Sequence, residues 1–354
     1  MKYYFLTVLL SLSLFSFSQT RIYRNDFLNV GAGARALGLA GSTTAGVNDE
    51  TASYWNPAGL QAMTSDFNVG AMHAEYFAGL SKYDFAALGY KLNDSSALGF
   101  SMIRMGTDNI PNTLELIDAN GNVDYDRISY FSSADYAFLL TYARKSKISG
   151  LSYGVQAKII YRHLGEFANA YGFGFDAGVQ YKRKNWQAGA MLKDATSTFN
   201  AWFFDSSSLE EVFAETGNEI PVDTVEFSVP QLNVGIARKF QLNENFSLLT
   251  EIGTDLTFDG QRHTLLSTEQ MAVSPHIGFE GGYKNMIFLR VGAGDFSRIP
   301  DFDKEVLSFL PAIGVGLKLY DIRIDYAFTD IGNLSGALYS NIFSLSYAFD
   351  RRKK

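Results

Sequence analysis

The chain has 354 residues, long enough for two soluble domains or for one large β-barrel. Cysteine is absent, which excludes a disulfide framework, a thiolate metal site, a cysteine nucleophile and a lipoprotein anchor. A net charge of −7 argues against general nucleic-acid binding, which needs a basic surface to displace phosphate counterions.

Residues 1–18 read as a secretory signal peptide. Lys2 supplies a basic start, Tyr3 to Phe15 an apolar run, and Ser16-Phe17-Ser18 a small-x-small cleavage site before Gln19. No later run approaches ~18 apolar residues, so no transmembrane helix is expected. An exported protein is expected.

Residues 19–62 form a second unit with neither helical nor strand period. Between Phe27 and Leu60 it holds Gly31, Gly33, Gly38, Gly41, Gly46 and Gly59, and it closes on Tyr54-Trp55-Asn56-Pro57-Ala58-Gly59. Small residues let backbones approach closely, and Asn-Pro followed by Ala-Gly is turn chemistry. Such a segment suits an irregular filling inside something larger.

Residues 63–350 alternate. Phe246, Leu248, Thr250, Ile252, Thr254, Leu256 and Phe258 share one face, with Ser247, Glu251, Gly253, Asp255 and Thr257 opposite. Tyr171 to Tyr181 and Ile322 to Thr329 repeat the pattern, the signature of strands with one apolar and one polar or glycine face. Fourteen strands are expected, at 66–77, 82–92, 96–106, 134–146, 151–164, 169–182, 185–195, 230–240, 246–258, 271–284, 286–296, 309–320, 322–329 and 339–349. Tight turns alternate with longer loops at 107–133, 196–229, 259–270, 297–308 and 330–338. A β-sandwich or a propeller is the soluble rival, but no blade repeat of about 40 residues is present.

Short turns on one side, long loops on the other and aromatic strand ends describe an all-β, fourteen-stranded antiparallel transmembrane barrel of the bacterial outer membrane. The apolar face would meet outer-membrane lipid. A sheet edge in hydrocarbon leaves backbone groups unpaired, so the wall must close. A barrel this wide is not filled by wall side chains alone, and residues 19–62 are the expected N-terminal plug of its lumen. Residues 351–354 form a basic tail.

Phe27-Leu28, Gly33-Ala34-Arg35-Ala36, Asn48-Asp49, Ala52 and Trp55-Asn56-Pro57-Ala58-Gly59-Leu60 together resemble the N-terminal signature of the PorV/PorQ family. That family belongs with the FadL-like channels, whose N-terminal hatch carries a similar Asn-Pro-Ala. The resemblance covers about 35 residues; elsewhere only strand pattern and count agree. It implies a plugged barrel serving the type IX secretion system. PorV-like members carry exported cargo proteins to the sortase, and PorQ-like members help anchor the attachment machinery. By this resemblance Arg35, Asn48, Asp49, Asn56, Pro57, Ala58 and Gly59 form the plug motif.

The remaining constellations have ordinary readings. The pairs Gly31/Gly33, Gly172/Gly174, Gly292/Gly294 and Gly314/Gly316 never extend to GxGxxG, and three lie at strand period. His73, His163, His263 and His276 are scattered, with no HExxH and no GxSxG serine, so no catalytic residue and no enzyme is expected. Asp118 to Asp126 spaces oxygen ligands as calcium loops do, but lacks the twelfth-position glutamate, and reads as an acidic loop; no metal and no cofactor is expected. Lumen charges Lys158, Arg162, Asp176, Glu251, Asp255, Lys318, Arg323 and Asp325 mix both signs, which favours pairing with each other or with the plug over a selectivity ring. Arg35 is a candidate fork for wall carboxylates. The loop 196–229 gathers Trp202, Phe203, Phe204 and Phe213 among glutamates, a candidate partner-binding surface.

The expected function is therefore a non-enzymatic outer-membrane barrel of the type IX secretion system, handling or anchoring exported proteins. The alternative is a FadL-like transporter that takes a hydrophobic small molecule across the outer membrane.

Overall fold

The computed structural model describes residues 25–351 except 118–120, 206–212, 214–218, 220, 263, 302–303 and 330–339. The signal-peptide expectation, the start of the 118–126 loop and the basic tail beyond Arg351 lie outside the described residues.

Alternation at period two produces β1 (Phe67–Tyr76), β2 (Ser81–Asn93), β3 (Ser96–Asn112), β4 (Ser129–Lys145), β5 (Leu151–Leu164) and β6 (Ala168–Arg183). They are followed by β7 (Trp186–Lys193), β8 (Thr198–Phe204), β9 (Thr224–Ser228), β10 (Gln231–Gln241), β11 (Phe246–Thr257) and β12 (Leu266–Ser267). The last five are β13 (Ala272–Tyr283), β14 (Ile287–Asp301), β15 (Lys304–Leu319), β16 (Ile322–Thr329) and β17 (Ser340–Phe349).

These seventeen pieces build a closed wall of fourteen antiparallel strands. Strands β7 and β8 are two halves of one wall strand, β9 and β10 are halves of the next, and β12 is a short ribbon on β13. Pairing of β1 with β17, from Phe67↔Phe349 to Glu75↔Asn341, closes the circle. No edge is left to leave backbone groups unpaired in hydrocarbon.

Several expected loops are shorter than their sequence suggests. Strand β3 runs on to Asn112 and β4 begins at Ser129, while β14 and β15 extend to Asp301 and from Lys304. The largest correction is at 196–229, where Thr198–Phe204 pairs with β6 and Thr224–Ser228 pairs with Thr198–Phe204, so both belong to the wall. Polar residues in these extensions obscure the apolar alternation, because strand tops beyond the lipid band have no reason to be apolar.

The outer face carries Ile159, Phe173, Phe175, Val179, Ile252, Leu289, Ile313 and Ile324, all exposed. The opposite positions carry glycine, alanine and buried polar groups, including Gln156, Lys158, Asp176, Glu251, Glu280, Arg290 and Asp325. An apolar outside and a polar inside is the pattern of a membrane barrel and the inverse of a soluble sandwich. At the short-turn end Phe67 stacks on Tyr90 (4.6 Å) and Phe349 (4.9 Å), an aromatic belt at the membrane interface. Tyr136 stacks on Tyr161, which meets Tyr171 at a tilt, towards the loop end.

Residues 25–63 lie inside this wall. Short helical turns at Asp26–Asn29, Ala34–Leu37, Ala52–Trp55 and Pro57–Ala62 fold over one another, and Ala32, Ala34, Ala52, Ala58 and Leu60 are fully buried. Isolated turns this short are unstable in water, so their order comes from packing rather than propensity.

Candidate functional site

The internal segment is fastened around most of the wall. The Gly33 N–H donates to Met72 Sδ (3.0 Å) on β1, and the Ala34 N–H to Ser344 Oγ (2.8 Å) on β17. Ser42 Oγ meets His276 Nδ1 (2.9 Å) on β13, and the Ala45 N–H donates to Glu251 Oε1 (2.7 Å) on β11. Ser53 Oγ donates to Ser101 Oγ (3.0 Å) on β3.

Arg35 is the strongest of these fasteners. Its Nε and Nη2 donate to the two carboxylate oxygens of Glu280 at 2.9 and 3.2 Å, a bidentate fork. Glu280 also takes Arg290 Nε at 2.7 Å, Arg290 reaches Asp325 at 2.8 Å, and Arg323 reaches Asp325 at 2.8 Å. Pairing between lumen charges and the segment therefore prevails over a free ring. Glu280 and Arg290 were not singled out in the sequence, although both sit on the polar side of the β13 and β14 alternation.

The Asn-Pro-Ala-Gly run has a geometric role. Asn56 is fully buried; its Nδ2 donates to the carbonyls of Thr44 (2.9 Å) and Val179 (3.1 Å), and its Oδ1 accepts from the Ala58 N–H (3.2 Å). Pro57 starts the next turn, where its missing N–H costs nothing. A Cβ at Gly59 would meet Val47, and one at Gly154 or Gly178 on the wall would meet Pro57. Asp49 accepts from Thr51 Oγ1 (2.5 Å) and stands 3.9 Å from Arg35, whereas Asn48 is exposed at the short-turn end.

Wall glycines make room for this segment. A Cβ at Gly292 would stand 2.5 Å from the Leu39 carbonyl carbon and 2.7 Å from the Ala40 nitrogen, both backbone atoms. Gly292→Leu is expected to push the segment off the wall, at about 1–3 kcal/mol for overpacking. Gly281→Leu is the control, since its nearest neighbour is 3.9 Å away. Heat-modified mobility of the folded barrel compares the two; equal shifts would count against the close approach.

The wall itself is interrupted beside the segment. Between the pairs Ala177↔Leu192 and Phe173↔Phe199, residues 193–198 face only 174–176. Asp194 (φ 52°) and Ser197 (φ 60°) take left-handed backbone there, and Pro230 on the neighbouring strand has no N–H to contribute. Polar groups hold the interruption inward. Lys158 bridges Asp176 (2.8 Å) and Asp194 (2.5 Å), the Asp194 N–H donates to Asp176 (2.7 Å), and Thr198 bonds Asp194.

A cavity opens here on the loop side of the segment. Its main lobe, of about 260 Å³, is lined by Val30, Leu37, Tyr54, Trp55, Lys193 and His276 among others, with Asp255 and Asp295 at its polar wall. A narrower lobe of about 40 Å³ continues past Tyr54 and Lys193 to Asp194 and Pro230 at the interruption. The Lys193 ammonium stands over the Tyr54 ring at 5.0 Å, within cation–π range. A second cavity, of about 380 Å³, lies at the short-turn end between Ala45–Asn48 and Gly150, Gln180 and Gln187. Residues 41–48 of the segment separate the two.

The expected aromatic surface is divided by the strands that hold it. Trp202 lies beneath Arg162 (5.0 Å) and beside Phe204 (6.1 Å), whereas Phe203 turns outward against Tyr171 (6.2 Å). Phe213 is half-buried among residues that are not described. Trp202, Phe203 and Phe204 therefore belong to wall strand β8 and not to a free loop. Among the described residues no group of three His, Asp or Glu is arranged to hold a metal.

Solved structures share this architecture. The Pseudomonas putida toluene transporter TodX matches with a TM-score of 0.58 at 15% identity, covering 94% of this chain and 100% of that one. The fold is that of the FadL-like outer-membrane barrels. The Ralstonia pickettii toluene transporter TbuX gives a TM-score of 0.54 at 13% identity, and a Pseudomonas aeruginosa FadL homologue 0.52 at 13%. Each covers 90% of this chain, and this chain covers 98% of each. No protein-family model and no curated protein matches the chain. The FadL-like part of the sequence resemblance thus has a structural counterpart, whereas its narrower PorV/PorQ assignment finds none in these comparisons.

Proposed function

We propose that this protein is an outer-membrane conduit for a small molecule with an apolar body, gated by the internal segment. The observation that carries this reading is the loop-side cavity enclosed between Tyr54, Trp55 and the interrupted wall strand. Its main lobe lies just under the ~300–1,000 Å³ usual for ligand pockets and suits a compact, single-ring solute rather than a protein segment. The apolar side chains would take the body of the solute. Lys193, with no carboxylate within salt-bridge distance among the described residues, would face a polar substituent. Passage to the short-turn cavity then requires residues 41–48 to shift, which makes the segment a hatch. FadL-like neighbours named as toluene transporters support the substrate class by analogy of fold.

Trp55 lines the cavity and is one of three tryptophans, so Trp186→Phe with Trp202→Phe leaves it as the sole indole. Titrating that variant with monoaromatic compounds is expected to quench or shift Trp55 emission saturably, and Tyr54→Ala to weaken the effect. No saturable change, together with no uptake into proteoliposomes, would sink the conduit.

A second reading, a type IX secretion component that handles or anchors exported proteins, rests on the resemblance of residues 27–60. Trp202 and Phe203, its candidate partner-binding residues, lie in wall strand β8 rather than in a free loop. Recovery of exported proteins with the barrel from native membranes would favour it.

A further inference from the structure

Among the described residues the outward positions at mid-height are mainly apolar, and one sector there carries charged groups. On β1, β2 and β3 the outward positions include His73, Asp84 and Arg104, which the register places side by side: His73↔Asp84 and Asp84↔Arg104. His73 Nδ1 lies 2.7 Å from Asp84 Oδ1, and Arg104 Nη1 3.5 Å from Asp84 Oδ2. Arg104 Nε also donates to Tyr136 Oη at 3.4 Å. His73 and Asp84 are half exposed on the outside of the wall, at 50% and 44%.

Their height decides what this means. His73 is six residues along β1 from Phe67, which lies in the aromatic belt of the short-turn end. A strand tilted by ~40° climbs roughly 2.5 Å per residue along the membrane normal, so His73 stands about 15 Å into an apolar band about 25 Å tall. At comparable depth elsewhere the outward residues are apolar, as at Ile159, Ile252, Leu289 and Ile313. Charged groups in hydrocarbon are costly and persist where something other than lipid tails covers them. Arg104 makes the need specific. It has five N–H donors, and its two bonds here are both at the long end of the range.

The surface around the triad is a groove of about 630 Å³. Its floor is Ala71 and Ala86, and Met102, Phe343 and Leu345 form its sides. Small floor residues allow another wall to approach closely, and in lipid, association is carried by close packing and polar contacts because the apolar drive is absent.

We infer that this sector is an interface between two copies of the chain in the membrane. The patch contains both signs of charge, an acid and a guanidinium on neighbouring strands, so it is complementary to itself under a two-fold axis. Rotating one copy onto the other brings each Arg104 to the partner copy's Asp84, which supplies the missing acceptors twice over. A closed two-fold contact uses the same patch on both sides, as this one does.

The absence of cysteine makes the test direct. Ala86→Cys, treated in native membranes with a short bifunctional thiol cross-linker, is expected to yield a covalent species of twice the chain mass. Ile252→Cys, on the far wall, is expected to stay monomeric. Adding Arg104→Met to Ala86→Cys should lower the dimer yield by about tenfold, the factor that ~1.4 kcal/mol represents. Ala71→Phe, which fills the groove without altering a charge, should do the same if Arg104→Met fails to insert. Equal cross-linking from both walls, or no dimer from Ala86→Cys in the inserted barrel, would overturn the interface. A cross-linked product of any other mass would replace the second copy by a different polypeptide. Glycolipid that co-purifies in proportion to Arg104, without cross-linking, would assign the sector to lipid headgroups instead.

Discussion

A barrel lacking residues 30–55 is expected to insert into the membrane and to conduct ions, where the intact chain conducts little. The expectation follows from width and from what the deletion leaves behind. Fourteen strands enclose more space than wall side chains fill, and glycines on the wall let the segment approach closely. Removing the segment strips Arg35 from Glu280, but Glu280 keeps Arg290 at 2.7 Å and Arg290 keeps Asp325 at 2.8 Å. Glu251 loses the Ala45 N–H, yet it would then face lumen water rather than a buried backbone. Among the described residues the wall charges that met the segment keep a wall partner or, like Glu251 and Lys193, gain lumen water, so folding should survive while the obstruction goes. Single-channel recording in planar bilayers decides the matter. Deletion and intact protein conducting alike would show that residues 30–55 do not obstruct the lumen.

Arginine at Ile252 is expected to destabilise the barrel by about 2–4 kcal/mol, the depth-dependent cost of a cation on the lipid face near the bilayer midplane. Ile252 is 58% exposed on the outer face, in mid-strand between Phe246 and Thr257. The matched change on the inner face is Ser274→Arg, whose side chain opens into the loop-side cavity beside Asp255 and Asp295. There the guanidinium keeps water and carboxylates, and a cost below about 1 kcal/mol is expected, as for charges that remain solvated. Reversible unfolding in lipid vesicles by denaturant measures both. Equal costs would mean that the two faces do not meet different media.

The faces of the strands were legible in the sequence because side chains alternate with a period of two, whatever the tertiary context. The alternation places Ile324 outward and Ala327 and Gly253 inward; Ile324 is 52% exposed and Ala327 fully buried, while Gly253 abuts the His276 ring. Strand number and closure followed from the same alternation, since an open edge is not tolerated in hydrocarbon. The density of glycine and the Asn56-Pro57 turn marked residues 27–60 as a segment that needs other parts of the chain to be ordered.

Where the alternation weakens, the sequence reading fails for a physical reason. Trp202 and Phe203 belong to β8, whose pairing with β6 resumes only after the inward interruption at 194–197. A bulge changes register and face together, so period counting across it cannot succeed. Partners of the internal segment were equally out of reach. Arg35 and Glu280 are 245 residues apart, and nothing local selects Glu280 over another inward carboxylate. The His73, Asp84 and Arg104 sector lay between these cases. Each residue breaks an apolar face visibly, but that the three are adjacent depends on the registers of β1, β2 and β3. Chain order thus determined which side of the wall each residue faces. Closure of the barrel around the segment decided which residues meet, because contacts between distant strands are set by register and packing, which no local pattern encodes.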